Sequence, residues 1–247
     1  MKKVNLKYQM PHPVKNIAFF MTAGWGIFIL EGDNMPMIIN NKSTVDVCSI
    51  SKGGIGMTNG VVKKTGWKPD DMIQVGFIEN AACMVFRKSK EGTFKLAYAN
   101  KQKKTGGKIY CISFIQNYLQ TLFEIPKKGV QPIHLSNTAW DMALIMDEPE
   151  WVNTGFTKMD VNKIPKNDVG IYELLGRGDA VLRIGEGKLY ERLNAHLKDK
   201  RFAPPAVKGV RYVALNETVD GQLFEKIRIT QFENMAGVLP RFQEIRA

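Results

Sequence analysis

The stretch "GIYELLGRGDAVLRIGEG", residues 170–187, reads as strand, glycine turn and strand, and "GKLYERLNAHL" after it reads as a helix. In that helix Leu189, Leu193 and Leu197 recur every four residues and mark its buried stripe. Arg192 and His196 are also four apart, so they share a neighbouring face. A guanidinium and an imidazole on one helical face can point at a common phosphate. Chemistry at phosphorus needs an activated nucleophile, with the pentacovalent charge and the leaving oxygen stabilised. The hairpin ahead of the helix offers Tyr172 on its first strand, with Arg183 expected across from it on the second.

Charge points the same way. The 247 residues carry 35 Lys and Arg against 24 Asp and Glu, a net charge of +11. An excess of that size suggests a polyanionic partner, most often nucleic acid, although a solvated cationic surface has the same composition. Between Arg183 and Arg211 there are eight Lys or Arg against three Glu or Asp, which predicts strongly salt-sensitive binding. Lys188, Lys198, Lys200 and Arg201 belong to this group. A second cluster, "NKQKKTGGK", places Lys101, Lys103, Lys104 and Lys108 around a turn. Such a turn can neutralise phosphates without reading base sequence, or serve only as a solvated hairpin tip.

The elements that must position these residues belong to a chain of ordinary globular composition, 44% hydrophobic and 24% charged. Its three cysteines, Cys48, Cys83 and Cys111, are far apart within apolar runs and form no C-x-x-C pair. They read as reduced core thiols of a cytoplasmic protein, not a disulfide frame or zinc site. The longest apolar run, 17–30, is interrupted by Thr22, Gly24 and Gly26 and falls short of the roughly 20 residues that cross a bilayer. It reads as a buried hairpin bending near "TAGWG", and no membrane association is expected. Four sections follow: 1–40 with that hairpin, a β-rich section over 41–150, a polar linker over 151–167 and a compact block over 168–247.

In the middle section "TVDVCSI" alternates as a strand, "SKGGIG" is a turn, "GVVKKTGW" makes about two helical turns, and "MIQVGF", "ENAA" and "CMVFRK" form a hairpin. Over 44–88 this order resembles the AbrB-type swapped-hairpin DNA-binding module. The proline and arginine that usually open its short helix are missing, and Asp70 stands where glycine is commonest. A weak echo follows, "TGGKIYCISFIQNYLQTLFEIPKKG" against "KGGIGMTNGVVKKTGWKPDD" and "WDMALIMDE" against "CMVFRK". It implies a single-chain tandem over roughly 41–148, each half unable to bury its apolar face alone.

The C-terminal block, about 168–247, resembles the GIY-YIG nuclease family over essentially its whole length. "GIY" stands at 170–172, "RIG" at 183–185 meets the second signature, and "GKLYERLNAHL", "VRYVAL" and "VDGQLFEKIRITQF" follow in the family's order. The resemblance implies that Arg192 clamps the phosphate, that His196 assists proton transfer or positions the nucleophile, and that Tyr172 lies beside the attacking water. It places Glu225 at the family's metal-binding carboxylate, which suits Mg²⁺ (or Mn²⁺). Arg183 replaces the usual second tyrosine; its guanidinium cannot act as a base, but it can bind phosphate and lower the pKa of Tyr172. Where the family often supplies an asparagine, Gln243 and Asn234 are both candidates.

The expected fold class is α+β: an AbrB-like β-barrel followed by a small GIY-YIG-like α/β sandwich. The expected activity is hydrolysis of DNA phosphodiester bonds by a Mg²⁺-dependent endonuclease of restriction, mobile-element or phage type, acting on duplex DNA, with a homodimer as a further expectation. The alternative is a DNA-binding regulator whose nuclease-like domain has lost turnover; a third reading makes the barrel a protein-interaction module.

Overall fold

A computed structural model describes residues 46–111, 126, 128–203, 205–216 and 218–243. The hairpin expected within 17–30 and much of the segment that echoes the first short helix lie outside these residues. The N-terminal part of the described chain carries β1 (Cys48–Ser51), β2 (Gly54–Met57), α1 (Asn59–Thr65), β3 (Met72–Ile78), β4 (Cys83–Lys88), β5 (Phe94–Ala97), β6 (Gly107–Ile109), β7 (Ile133–His134) and β8 (Met142–Ile145). Then come β9 (Val152–Gly155), α2 (Lys158–Val161), β10 (Val169–Leu175), β11 (Val181–Lys188), α3 (Leu189–Lys198), β12 (Gly209–Ala214) and α4 (Thr218–Ala236). The class is α+β.

The first eight strands form one curled antiparallel sheet in the order β1-β2-β6-β5-β3-β4-β8-β7. The order is symmetric: hairpin β1–β2 meets hairpin β5–β6 through β2 and β6, and β3–β4 meets β7–β8 through β4 and β8. Cys48 and Val130 exchange both backbone hydrogen bonds, joining the first strand's edge to the chain just ahead of the last strand. Residues 107–109 and 142–145 therefore pair with 55–57 and 83–86. Alternation directs Cys48, Ile50, Ile55, Met57, Leu96 and Ile109 into an apolar interior with Ile73, Met84, Phe86, Met142 and Leu144. Gly54, at φ +127°, is where β2 lies closest to β6: a Cβ there would stand 2.1 Å from the Ile109 carbonyl oxygen. Helix α1 ends at Gly66 in the left-handed region, and Trp67 just beyond it is buried with its indole N–H on Asp141 Oδ2 at 2.8 Å. Asp70 has φ +74°, the conformation that favours the glycine commoner at its place in the resembled module.

The other four strands form a second antiparallel sheet, β11-β10-β12-β9. Residues 151–167, expected as a linker, build part of this layer: β9 pairs with β12, and Thr157 caps α2 with a reciprocal capping box to Asp160. Their polar composition hides Phe156, Val161 and Ile164, all buried beneath α3. Strand β10 is covered on both faces, which explains its nearly unbroken apolar run. Tyr172 and Leu174 face Leu189 and Leu193 of α3, as the leucine stripe predicts, while Leu197 is partly buried. Ile171 and Leu175 face Phe224 and Ile227 of α4. That second cluster continues into Ile78, Cys83, Val85, Ile133 and Ala143 of the first sheet, so both sheets share one core inside a single compact unit. Asn80 Nδ2 adds a hydrogen bond across the junction to the Ala214 carbonyl at 3.0 Å. All three cysteines are free and buried; burial pushes Cys48 up to about 12 and Cys111 to about 11, which keeps both as thiols.

Candidate functional site

The candidate site is assembled on the α3 side of the second sheet. Antiparallel register puts Gly185, not Arg183, directly opposite Tyr172; Arg183 pairs with Leu174 and lies diagonal to the phenol on the same face. The absence of a side chain at 185 is what admits the ring, since a Cβ there would stand 2.3 Å from Tyr172 Oη and 2.4 Å from Cζ. Tyr172 is wholly buried, and its hydroxyl meets His196 Nε2 of α3 at 2.7 Å. The imidazole packs edge-on against Phe202 at 4.6 Å between centroids, and Phe202 against Phe242 at 5.3 Å. One turn before His196, Arg192 passes Gly187, whose φ of +126° bends the end of β11.

Electrostatics define the protonation states. Burial raises the Tyr172 pKa and outweighs the lowering by Arg192 and Arg183. The phenol is therefore neutral at pH 7, contrary to the expectation that Arg183 would bring it down: desolvation exceeds the cationic attraction. His196 is held down at about 4, first by burial and then by Arg183 and Arg192. At pH 7 the ring is neutral, and in its Nδ1–H tautomer it accepts the Tyr172 O–H at Nε2. Arg183 is buried and donates from Nη1 to the Phe242 carbonyl at 2.8 Å. The Nε atoms of Arg183 and Arg192 are both buried and have no hydrogen-bond partner among the described residues. A buried donor left unmade costs about 1–3 kcal/mol, so two such donors beside one phenol suit an incoming acceptor.

Glu225 is buried on α4, and its charge is among those raising the Tyr172 pKa. No group of three or more His, Cys, Asp or Glu placed to hold a metal ion occurs among the described residues. A single buried carboxylate of this kind fits a hard, largely hydrated cation such as Mg²⁺ better than zinc. Of the two amide candidates, Gln243 is the one brought to the hairpin: its Oε1 accepts from Ile184 N at 3.0 Å, and Phe242 N donates to Leu182 O at 2.8 Å, laying the tail along β11. Asn234 is exposed on α4.

The structure thus brings Tyr172, Arg183, Arg192 and His196 together on the α3 side of the second sheet, while Glu225 stands on α4, near enough for its charge to act on the phenol. Lys101, Lys103 and Lys104 stand exposed on the β5–β6 turn of the first sheet, with Lys108 Nζ 4.9 Å from the Tyr110 ring centroid. Lys188 pairs with Glu191 at 3.3 Å and Arg201 with Asp199 at 2.7 Å, while Lys198 and Lys200 are exposed. Sequence reasoning missed a buried network behind the site. Glu173, wholly buried, accepts from Arg211 of β12 and Arg228 of α4, and Trp151 lies over both guanidiniums. The signal was a carboxylate inside the apolar run "GIYELL".

No protein-family model matches the chain, and neither a curated protein nor a solved structure shows significant similarity to it.

Proposed function

We propose that the protein is a Mg²⁺-dependent endonuclease that hydrolyses DNA phosphodiester bonds, with a GIY-YIG-like catalytic layer fused to an AbrB-like barrel. One observation carries the reading: a neutral phenol hydrogen-bonded to a neutral imidazole, beside two guanidiniums whose buried Nε donors have no acceptor among the described residues. In the proposed step a water attacks phosphorus while its proton passes to Tyr172 Oη, and the phenolic proton passes to His196 Nε2. Oη is thus regenerated as a neutral hydroxyl, and the imidazolium later releases its proton to solvent. Arg183 and Arg192 bind the phosphate oxygens and stabilise the charge that builds in the transition state. Glu225 would hold the Mg²⁺, which supplies Lewis-acid stabilisation of the leaving oxygen when bound. The interleaved strand order of the first sheet, with Lys101, Lys103 and Lys104 exposed on its β5–β6 turn and Lys108 on β6, supports a role in docking duplex DNA.

The test is plasmid cleavage in Mg²⁺ by wild type, Glu225→Ala and Tyr172→Phe. Loss of cutting by at least roughly 10²-fold with DNA affinity retained supports the enzyme. Binding without cleavage in Mg²⁺ or Mn²⁺ supports the second reading, a DNA-binding regulator, which is favoured by Arg183 standing where the resembled family has a second hydroxyl.

A further inference from the structure

Glu173 follows Tyr172 on β10 and points to the opposite face, towards α4. Its two oxygens are gripped from different elements. Arg211, its direct cross-strand neighbour on β12, gives Nε to Oε2 at 2.8 Å. Arg228 of α4 gives Nε and Nη2 to Oε1 at 3.1 and 2.9 Å, and is itself 2% exposed. The Trp151 ring centroid lies 4.7 Å from the Arg211 guanidinium carbon and 5.4 Å from that of Arg228. Arg228 Nη1 also donates to Gln231 Oε1 at 2.8 Å, one turn further along α4. The two arginines differ in what they tie together. The Arg211 hydrogen bonds to Glu173 lie within the sheet, whereas those of Arg228 join sheet to helix, three residues after Glu225 and therefore on a neighbouring part of the same helical surface.

A charged, forked hydrogen-bond pair restrains direction as well as distance. With a helix about 10–12 Å across including side chains, a rotation of roughly 10° about its axis carries a side-chain end about 1 Å. A misplacement of about 1 Å at a reacting centre can cost as much as roughly 10²-fold in rate. We propose that Glu173 and Arg228 are positioning residues that fix the rotation of α4 and thereby the direction in which the Glu225 carboxylate stands relative to Tyr172. The proposal rests on the reading of Glu225 as the metal-binding carboxylate.

The experiment titrates plasmid cleavage with Mg²⁺ for wild type, Arg228→Lys, Arg211→Lys and Glu225→Ala, with DNA affinity measured in EDTA. Arg228→Lys keeps the charge but loses the fork. It should raise the half-saturating Mg²⁺ by about tenfold, in line with other residues that orient a metal ligand, while DNA affinity stays unchanged. Arg211→Lys disturbs the same carboxylate from the sheet side and should leave half-saturation within about twofold. If Arg228→Lys does not fold, Glu173→Asp, which withdraws the clamp by one methylene, should shift Mg²⁺ dependence in the same direction. Wild-type half-saturation in Arg228→Lys or Glu173→Asp, or equal rises in both arginine variants, overturns the clamp. A wild type that cuts in neither Mg²⁺ nor Mn²⁺ overturns the nuclease reading and the clamp with it. Cutting that is lost in Glu225→Ala and unaffected in Arg228→Lys overturns the clamp alone.

Discussion

Replacing Gly185 by alanine tests the packing that makes the site. The added Cβ would stand 2.3 Å from Tyr172 Oη and 2.4 Å from Cζ, far inside van der Waals contact. The ring is wholly buried, so it can yield only by shifting against α3, and a shift breaks the 2.7 Å hydrogen bond to His196. Overpacking costs about 1–3 kcal/mol and a broken hydrogen bond about 0.5–1.5, so Gly185→Ala should destabilise by roughly 2–4 kcal/mol. Urea unfolding of Gly185→Ala, Tyr172→Ala and the double variant measures it as a cycle. In the Tyr172→Ala background the clash is absent, so the coupling energy should be about 2 kcal/mol or more. Gly178→Ala is the comparison, because Gly178 has φ +65° with nothing within 4 Å of its added Cβ and should cost only the backbone strain of about 1–2 kcal/mol. A Gly185→Ala variant within about 0.5 kcal/mol of wild type, or a coupling near zero, would refute the argument that glycine is required to seat the phenol.

Three further outcomes are expected. With His196 held at about 4 in the fold, the unfolded chain takes up a proton near pH 6.5 that the folded one refuses, so stability falls as pH drops from about 6.5 towards 4. After solvent screening the loss is about 1 kcal/mol; urea midpoints at pH 7 and 4.5 should lose that difference in His196→Gln, and an NMR titration of His196 near 6.5 would contradict it. Asp141→Ala strips the acceptor from both Trp67 Nε1 and Lys88 N, each at 2.8 Å, and should cost about 1–3 kcal/mol by urea unfolding; an unchanged midpoint counts against that staple. Replacing Lys101, Lys103 and Lys104 together by glutamine should flatten the slope of log affinity against log salt by about 0.9 for each phosphate that is no longer neutralised, as read by fluorescence anisotropy on duplex DNA. An unchanged slope would mean that the β5–β6 turn does not touch the phosphate backbone.

Elements with strong periodicity were legible from the residues alone. The leucines at 189, 193 and 197 define α3, "CMVFRK" is β4, and all of "VRYVAL" but its last residue lies on β12. The shared face of Arg192 and His196 followed from helical spacing, which depends on local geometry, whereas Tyr172 beside them was implied only by the family resemblance. Register did not follow: a bulge between Leu174 and Leu175 slides the hairpin so that Gly185 opposes Tyr172. The stretch 151–167 misled because Phe156, Val161 and Ile164 are sparse among polar neighbours, yet each inserts under α3. The Glu173 network was invisible because its partners stand 38 and 55 residues away in sequence. The protonation of Tyr172 also escaped, since the depth of burial that outweighs two nearby arginines is a tertiary property.

The shared core at the β4–β8 seam has a consequence for stoichiometry. In a strand order that maps β4 onto β8, this seam lies where the two halves of the first sheet meet, on the line that exchanges them. Cys83, Val85 and Ala143 from either side of that line form one apolar landing for the second sheet. An assembly of two identical half-sheets, each with its own C-terminal layer, would bring two claimants to a single berth. Writing both halves into one polypeptide removes the rivalry: each curled sheet carries one C-terminal layer, and the near-symmetric half becomes free to diverge.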